Sequence, residues 1–174
     1  MISIARSASA KHPARPRLLG LLALLLTWLL ALPAAAEDGY DLWLRYRPLP
    51  APVLKQYRDQ GTQLVAPADT ATQRAARDEL VRGLSGLLGR APALAAQARR
   101  DGAIVVGTPA SLPQLAALQG ELEGLGEEGY LIRSTRIDGR AATVVAANTD
   151  MGALYGSFHL LRLVQTGQPL AGLD

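Results

Sequence analysis

Cysteine is missing from all 174 residues. Its absence excludes disulfides, thiolate nucleophiles and zinc sites built on cysteine. Histidine is nearly as scarce, with only His12 and His159 present. So few nitrogen and sulfur ligands leave a transition metal without a coordination set, and no carboxylate spacing matches a calcium loop. The glycine motifs of nucleotide sites are lacking too. No G-x-x-x-x-G-K-[ST] occurs, and Gly102 to Gly107 does not form G-x-G-x-x-G. No metal site and no cofactor site are therefore expected. Positive charge is also short once it is located: four of the 18 Lys+Arg and none of the 15 Asp+Glu lie in the first 36 residues, so the remainder carries a formal −1. That excludes a basic footprint for nucleic acid.

The first 36 residues have an order of their own. Arg6, Lys11, Arg15 and Arg17 precede a run from Leu18 to Leu32 that is apolar apart from Thr27. Pro33 breaks the run, and Ala34-Ala35-Ala36 supplies an A-x-A cleavage signal before Glu37. A positive, then apolar, then small-residue order is that of a secretory signal peptide. The run is shorter than the ~20 residues a helix needs to span a bilayer. Residues 1–36 are thus expected to be a signal peptide and 37–174 one domain, exported to the periplasm or medium and free of the membrane after cleavage.

Beyond the leader, the pattern alternates between strand and helix. Tyr40, Leu42, Leu44 and Tyr46 alternate with Asp41, Trp43, Arg45 and Arg47, predicting a strand stopped by Pro48, Pro50 and Pro52. Gln63 to Ala66 reads as a second short strand closed by Pro67. Asp69 is placed to cap a helix from about Thr70 to Leu88, with Ala76, Leu80, Leu84 and Leu87 on one face and Gly89 after its end. Ala103 to Gly107 reads as a buried strand, and Leu112 to Leu118 as a short helix. Tyr130–Ser134 and Ala142–Ala146 flank Asp138-Gly139, the signal of a hairpin turn. The Ala-rich stretch Ala91–Ala98 reads as compositional bias.

The final helix, from about Asp150 to Gln165, is apolar on two sides. Met151, Leu154, Tyr155, Phe158 and Leu161 form one stripe; Ala153, Gly156, Leu160, Leu163 and Val164 form another. Such a helix lies between two packing partners or is deeply embedded within one domain, and the pattern leaves both open.

Candidate chemistry is thin. Glu121, Glu123, Glu127 and Glu128 cluster between Gly120 and Gly129, where glycine predicts a surface loop with solvated carboxylates. Ser157 and His159 sit two apart on a helix, so they face different ways and cannot form a nucleophile–base pair. Trp43, Arg45 and Arg47 share one segment and are the residues placed for a ligand or domain contact. No catalytic residue is assigned.

Two segments carry a resemblance. Gly39-Tyr40-Asp41-Leu42-Trp43-Leu44-Arg45-Tyr46 resembles the opening of bacterial α-glucuronidases of glycoside hydrolase family sixty-seven, and Asn148 to Gly167 looks like the helix that closes that family's N-terminal domain. A more distant similarity is to the domains that precede the barrels of β-hexosaminidases. The resemblance implies an α+β fold, a two-layer α/β domain in which a mixed β-sheet packs with helices. It also implies a partner, the (β/α)8 catalytic barrel of the same or a separate chain. In the family that barrel carries the acids that release 4-O-methylglucuronic acid from xylo-oligosaccharides with inversion. Those acids lie beyond the region matched, so none transfers to this chain. The barrel is also the partner expected for the second stripe of the last helix. A stand-alone periplasmic module that binds a protein or an acidic xylo-oligosaccharide is the alternative. N-terminal sequencing of the protein from producing cells is expected to read Glu37-Asp38-Gly39; a start at Met1 would overturn cleavage.

Overall fold

The computed structural model describes residues 45–174, so the leader and most of the expected first strand lie outside the described residues. The part of that strand within them is not extended. The Arg47 amide donates to the Arg45 carbonyl at 3.0 Å, a three-residue turn that consumes the groups a ladder would use. The prolines that follow start a helix rather than only ending a strand. Pro50 caps α1 (Ala51–Leu54), whose first turn holds Pro52, and a 3-10 turn (Lys55–Tyr57) continues it. Proline suits this position because its fixed φ is helical and its missing N–H would have had no partner.

Five strands form one mixed sheet in the order β2-β1-β3-β5-β4. The strands are β1 (Gln63–Val65), β2 (Ala93–Leu94), β3 (Ala103–Gly107), β4 (Tyr130–Ile137) and β5 (Arg140–Ala147). The first three and β5 run parallel, and β4 is antiparallel to β5. The predicted hairpin is present and longer than expected. Asp138 at φ 52° and Gly139 at φ 77° make its turn, a pair of left-handed residues that the D-G dipeptide tolerates. The alanine-rich stretch supplies β2: the amides of Ala93 and Ala95 donate to Thr62 and Leu64 at 2.9 and 3.0 Å.

Helices α2 (Ala71–Leu88) and α4 (Asp150–Gln165) cover one face. Leu80, Leu84 and Leu87 of α2 meet Leu64 and Ile104, while Ala153, Leu160 and Val164 of α4 belong to the same core. The other face is covered by a 3-10 segment (Pro113–Leu118) and α3 (Gln119–Leu122), through Leu112, Leu115, Leu118 and Leu122 on Val105, Val144 and Ala146. The α+β class and the mixed sheet are as expected, with short segments rather than long helices on the second face. Residues Ala103 to Gly107 are all buried because β3 lies between both layers.

The cap of α2 differs from expectation. Thr70, not Asp69, is the N-cap, accepting from the Gln73 amide at 3.1 Å while the Gln73 side chain accepts from the Thr70 amide. This reciprocal pair satisfies two free donors, which Asp69 one residue earlier could not do. At the other end Gly89 is left-handed, as its position predicted.

Helix α4 approaches the sheet closely. A Cβ added to Gly156 would lie 2.3 Å from Val145 Cγ1 and 3.1 Å from the Tyr130 ring. After α4 the chain turns back along the same face of the sheet. The Tyr57 hydroxyl donates to the Gln168 carbonyl at 2.5 Å, and Leu170 is buried. The Ser134 amide donates to the Leu173 carbonyl at 2.9 Å, and the Leu173 amide returns to Ser134 Oγ at 3.0 Å. The tail thus bonds the outer edge of β4. Gly156→Ala is expected to destabilise the fold by about 1–3 kcal/mol through overpacking, measured by urea unfolding, despite alanine's better helix propensity.

Candidate functional site

The three residues placed for contact by the sequence are only partly in view. Trp43 lies outside the described residues; Arg45 is half-buried and Arg47 exposed. Tyr46 between them faces α2. Its hydroxyl donates to Glu79 Oε1 at 2.5 Å, and its main chain fills a notch at Gly86, where a Cβ would lie 2.4 Å from the Tyr46 carbonyl oxygen. Arg82 pairs with the same carboxylate and sits 6.0 Å from the Tyr46 ring centroid. Glu79 is only 8% exposed, so its charge is held by these two donors. The cluster is a clamp between the entering chain and α2.

The acidic cluster is exposed at all four positions. Three of the carboxylates follow the solvated-loop reading. Glu121 instead stands on α3 and pairs with Arg133 of β4 at 2.6 Å; Arg133 also reaches Asp174 at 2.8 Å. Among the described residues no group of three or more His, Asp or Glu is arranged to hold a metal ion. Ser157 and His159 do not meet. Ser157 is buried and donates to the Ala153 carbonyl at 2.8 Å, whereas His159 is exposed and its Nδ1 lies 3.0 Å from the Tyr130 hydroxyl.

The two stripes of the last helix separate. Ala153, Gly156, Leu160 and Val164 are buried on the domain's own sheet, so that stripe needs no outside partner. The other stripe divides: Leu161 is buried against Gly83 of α2, but Met151, Tyr155 and Phe158 stand 41%, 41% and 38% exposed. With Arg162 they occupy one line along the helix, three or four residues apart, spanning about 16 Å at 1.5 Å per residue. Tyr130 enters from β4 beside them, its ring edge-on to His159 at 5.7 Å. Tyr130, Tyr155, Phe158, His159 and Arg162 line a shallow groove of about 380 Å³. Helical spacing disclosed the stripe; the pairing with Tyr130 depends on strand register and was not visible.

A second location merits comparison. The strand order reverses direction between β1 and β3, the position where open α/β sheets bind ligands at the carboxyl ends of their strands. Here the space is filled by the chain itself. Asp150 accepts from Thr70 Oγ1 at 2.8 Å and Gln73 Nε2 at 2.9 Å, placing a carboxylate at the N-terminal ends of both α2 and α4. The cavity left there is about 10 Å³, so the outward face of α4 is the stronger candidate.

Comparison with known proteins fits this arrangement. The family model described as Glycosyl hydrolase family 67 N-terminus matches residues 42–160. The chain belongs to this family. Within family 67 it is similar to Alpha-glucuronidase A of Emericella nidulans, 32% identical over 151 residues covering 83% of this chain and 17% of that protein. It also resembles proteins named Probable alpha-glucuronidase A from Neosartorya fischeri, 31% identical over 77% of this chain and 16% of theirs, and Aspergillus oryzae, 28% identical over 82% and 17%. The chain therefore spans about a sixth of the length of these relatives. The matched segment takes in the clamp, the whole sheet and Met151, Tyr155 and Phe158 of α4.

Burial and the Glu79 carboxylate push the Tyr46 hydroxyl well above the ordinary tyrosine value, and burial raises Tyr57 as well. A group raised on folding stabilises the protein fully below its unfolded pKa, and this contribution is lost as pH rises through the folded value. Stability is therefore expected to fall from about pH 10 upward. In a tyrosinate absorbance titration Tyr46 and Tyr57 should ionise above the ordinary tyrosine range or only with unfolding; loss of a tyrosine from the ordinary range in Tyr46→Phe would overturn the clamp.

Proposed function

We propose that this chain is the non-catalytic N-terminal domain of an exported xylan α-1,2-glucuronidase, working with a (β/α)8 catalytic domain of the same or a separate chain. The observation that carries the reading is the family 67 N-terminal match over residues 42–160, with relatives named α-glucuronidases of which this region is a sixth. In this reading the leader of residues 1–36 directs the protein to the periplasm or medium. The substrate class is 4-O-methylglucuronic acid on xylo-oligosaccharides.

The positions of the fixed carboxylates support a non-catalytic role. General acid and base work requires two carboxyl groups facing one substrate position. Here Glu79 is held by Tyr46 and Arg82, Asp150 by Thr70 and Gln73, and Glu121 by Arg133. Each is committed to a structural bond on a different element.

A stand-alone periplasmic carbohydrate-binding or protein-interaction module is the second reading, favoured by the aromatic groove at Tyr130, Tyr155 and Phe158. Trp43, Arg45 and Arg47 remain the proposed contact residues on the entering segment. The purified chain is expected to release no uronic acid from aldouronic acids, followed by a reducing-sugar assay. Clear turnover by this chain alone would overturn the non-catalytic reading.

A further inference from the structure

Three Asp-Gly steps occur in the sequence: Asp38-Gly39, Asp101-Gly102 and Asp138-Gly139. Such a step has a chemistry of its own, because glycine has no side chain to shield its nitrogen from the carboxyl group before it. Attack of that nitrogen on the carboxyl carbon closes a five-membered imide ring. Asp38 lies outside the described residues, and the other two steps stand in opposite surroundings.

Asp101-Gly102 is tied at both reacting groups. Asp101 Oδ1 accepts from the Ala141 amide at 2.9 Å, and the Gly102 amide donates to the Ala141 carbonyl at 2.7 Å. Gly102 is buried, and a Cβ there would lie 1.7 Å from the Asp59 carbonyl oxygen. Ring closure at this step has to break both bonds within filled space. Asp138-Gly139 has neither restraint. Both residues are exposed, and a Cβ on Gly139 would meet nothing within 4 Å. Among the described residues the Asp138 carboxylate accepts no hydrogen bond and the Gly139 amide donates none. Asp138, at φ 52°, is also the only non-glycine residue of positive φ among them, so leaving this geometry relieves backbone strain.

We infer that Asp138 is a site of spontaneous isomerisation to isoaspartate. The Gly139 nitrogen attacks Asp138 Cγ; the N–Cγ bond forms, a Cγ–O bond breaks and water leaves. Water then adds to one of the two imide carbonyls. Cleavage of the N–Cγ bond restores aspartate. Cleavage between the nitrogen and the Asp138 main-chain carbonyl carbon sends the chain through Cγ and leaves the main-chain carboxyl as the side group. The water lost in the first step returns in the second, and no oxidant or reductant takes part. The chain gains one methylene, which falls within the turn. Ala141 stays pinned by Asp101 and Gly102, so the register of β4 on β5 is kept. The contact displaced is the one at the tip, where Arg136 Nη1 donates to the Gly139 carbonyl at 2.8 Å.

The test is to age the purified chain at neutral pH, folded and in urea. Methyl transfer from S-adenosylmethionine by an isoaspartyl methyltransferase counts the product, and electron-transfer fragmentation of the peptides assigns it to a position. In the folded chain isoaspartate is expected at Asp138 about tenfold faster than at Asp101, with the two rates converging in urea, because reaction at Asp101 waits for local opening. Equal rates in the folded chain, or a faster Asp101, would overturn the assignment. So would a folded chain that forms none at Asp138 while the unfolded chain does, since the hairpin would then hold the turn against ring closure. Asp138→Asn and Asp101→Asn supply a second measurement. Asparagine closes the same ring with loss of ammonia, so intact mass records the reaction, and Asn keeps the acceptor that Ala141 needs. The first variant should deamidate while the second persists; the reverse order would overturn the inference.

Discussion

The approach of α4 to the β4–β5 hairpin sets the positions of the other elements. At Gly156 the helix backbone meets Val145 and the Tyr130 ring with no side chain between them. At Gly152 the space is bounded by the Gly129 carbonyl and Ala147. This contact fixes the depth of the helix over the sheet, and with it the height at which α2 packs alongside. It also orients α4 about its axis. With two glycines turned inward, the opposite line of the helix must point away, and that line carries Met151, Tyr155 and Phe158. The exposed ridge is therefore a consequence of the tight inner contact.

Much of this was legible because the strands and long helices are set by local pattern. Alternation and the D-G turn identified the hairpin, and the apolar period identified α2 and α4 nearly to the residue. Apart from the cap of α2, where Thr70 rather than Asp69 meets Gln73, what failed depended on partners distant in sequence. The segment at Arg45–Arg47 alternates like a strand, yet Tyr46 is taken by Glu79 and the Gly86 notch, 33 and 40 positions away. Ala93–Leu94 carries no strand signal and becomes one because β1 offers it an unpaired edge.

The candidate site was half legible for the same reason. Helical spacing showed that α4 has two apolar sides, but not which one the sheet would take. The small residues decided it: glycine and alanine admit the close approach that Tyr155 and Phe158 would block. The binding crevice expected of an open sheet shows the converse. Asp150 reads in sequence as an ordinary helix start, and only the fold places its carboxylate between two helix ends. Electrostatically that position favours an anion, and the domain supplies its own.

The tail that follows α4 has a consequence for how the molecule is made. Tyr57 near the front of the domain and Gln168 near the end of the sequence share a hydrogen bond, 111 positions apart. Leu170 completes the core shared by α2 and α4, and Leu173 bonds the edge of β4. Within the domain these residues are made after all the strands and helices. Until they emerge, the core lacks Leu170, the Tyr57 hydroxyl lacks its acceptor, and the edge of β4 is open to foreign strands. Closing so long a loop is entropically slow and must precede the contacts that reward it. Closure of the core is thus tied to the emergence of the domain's last segment.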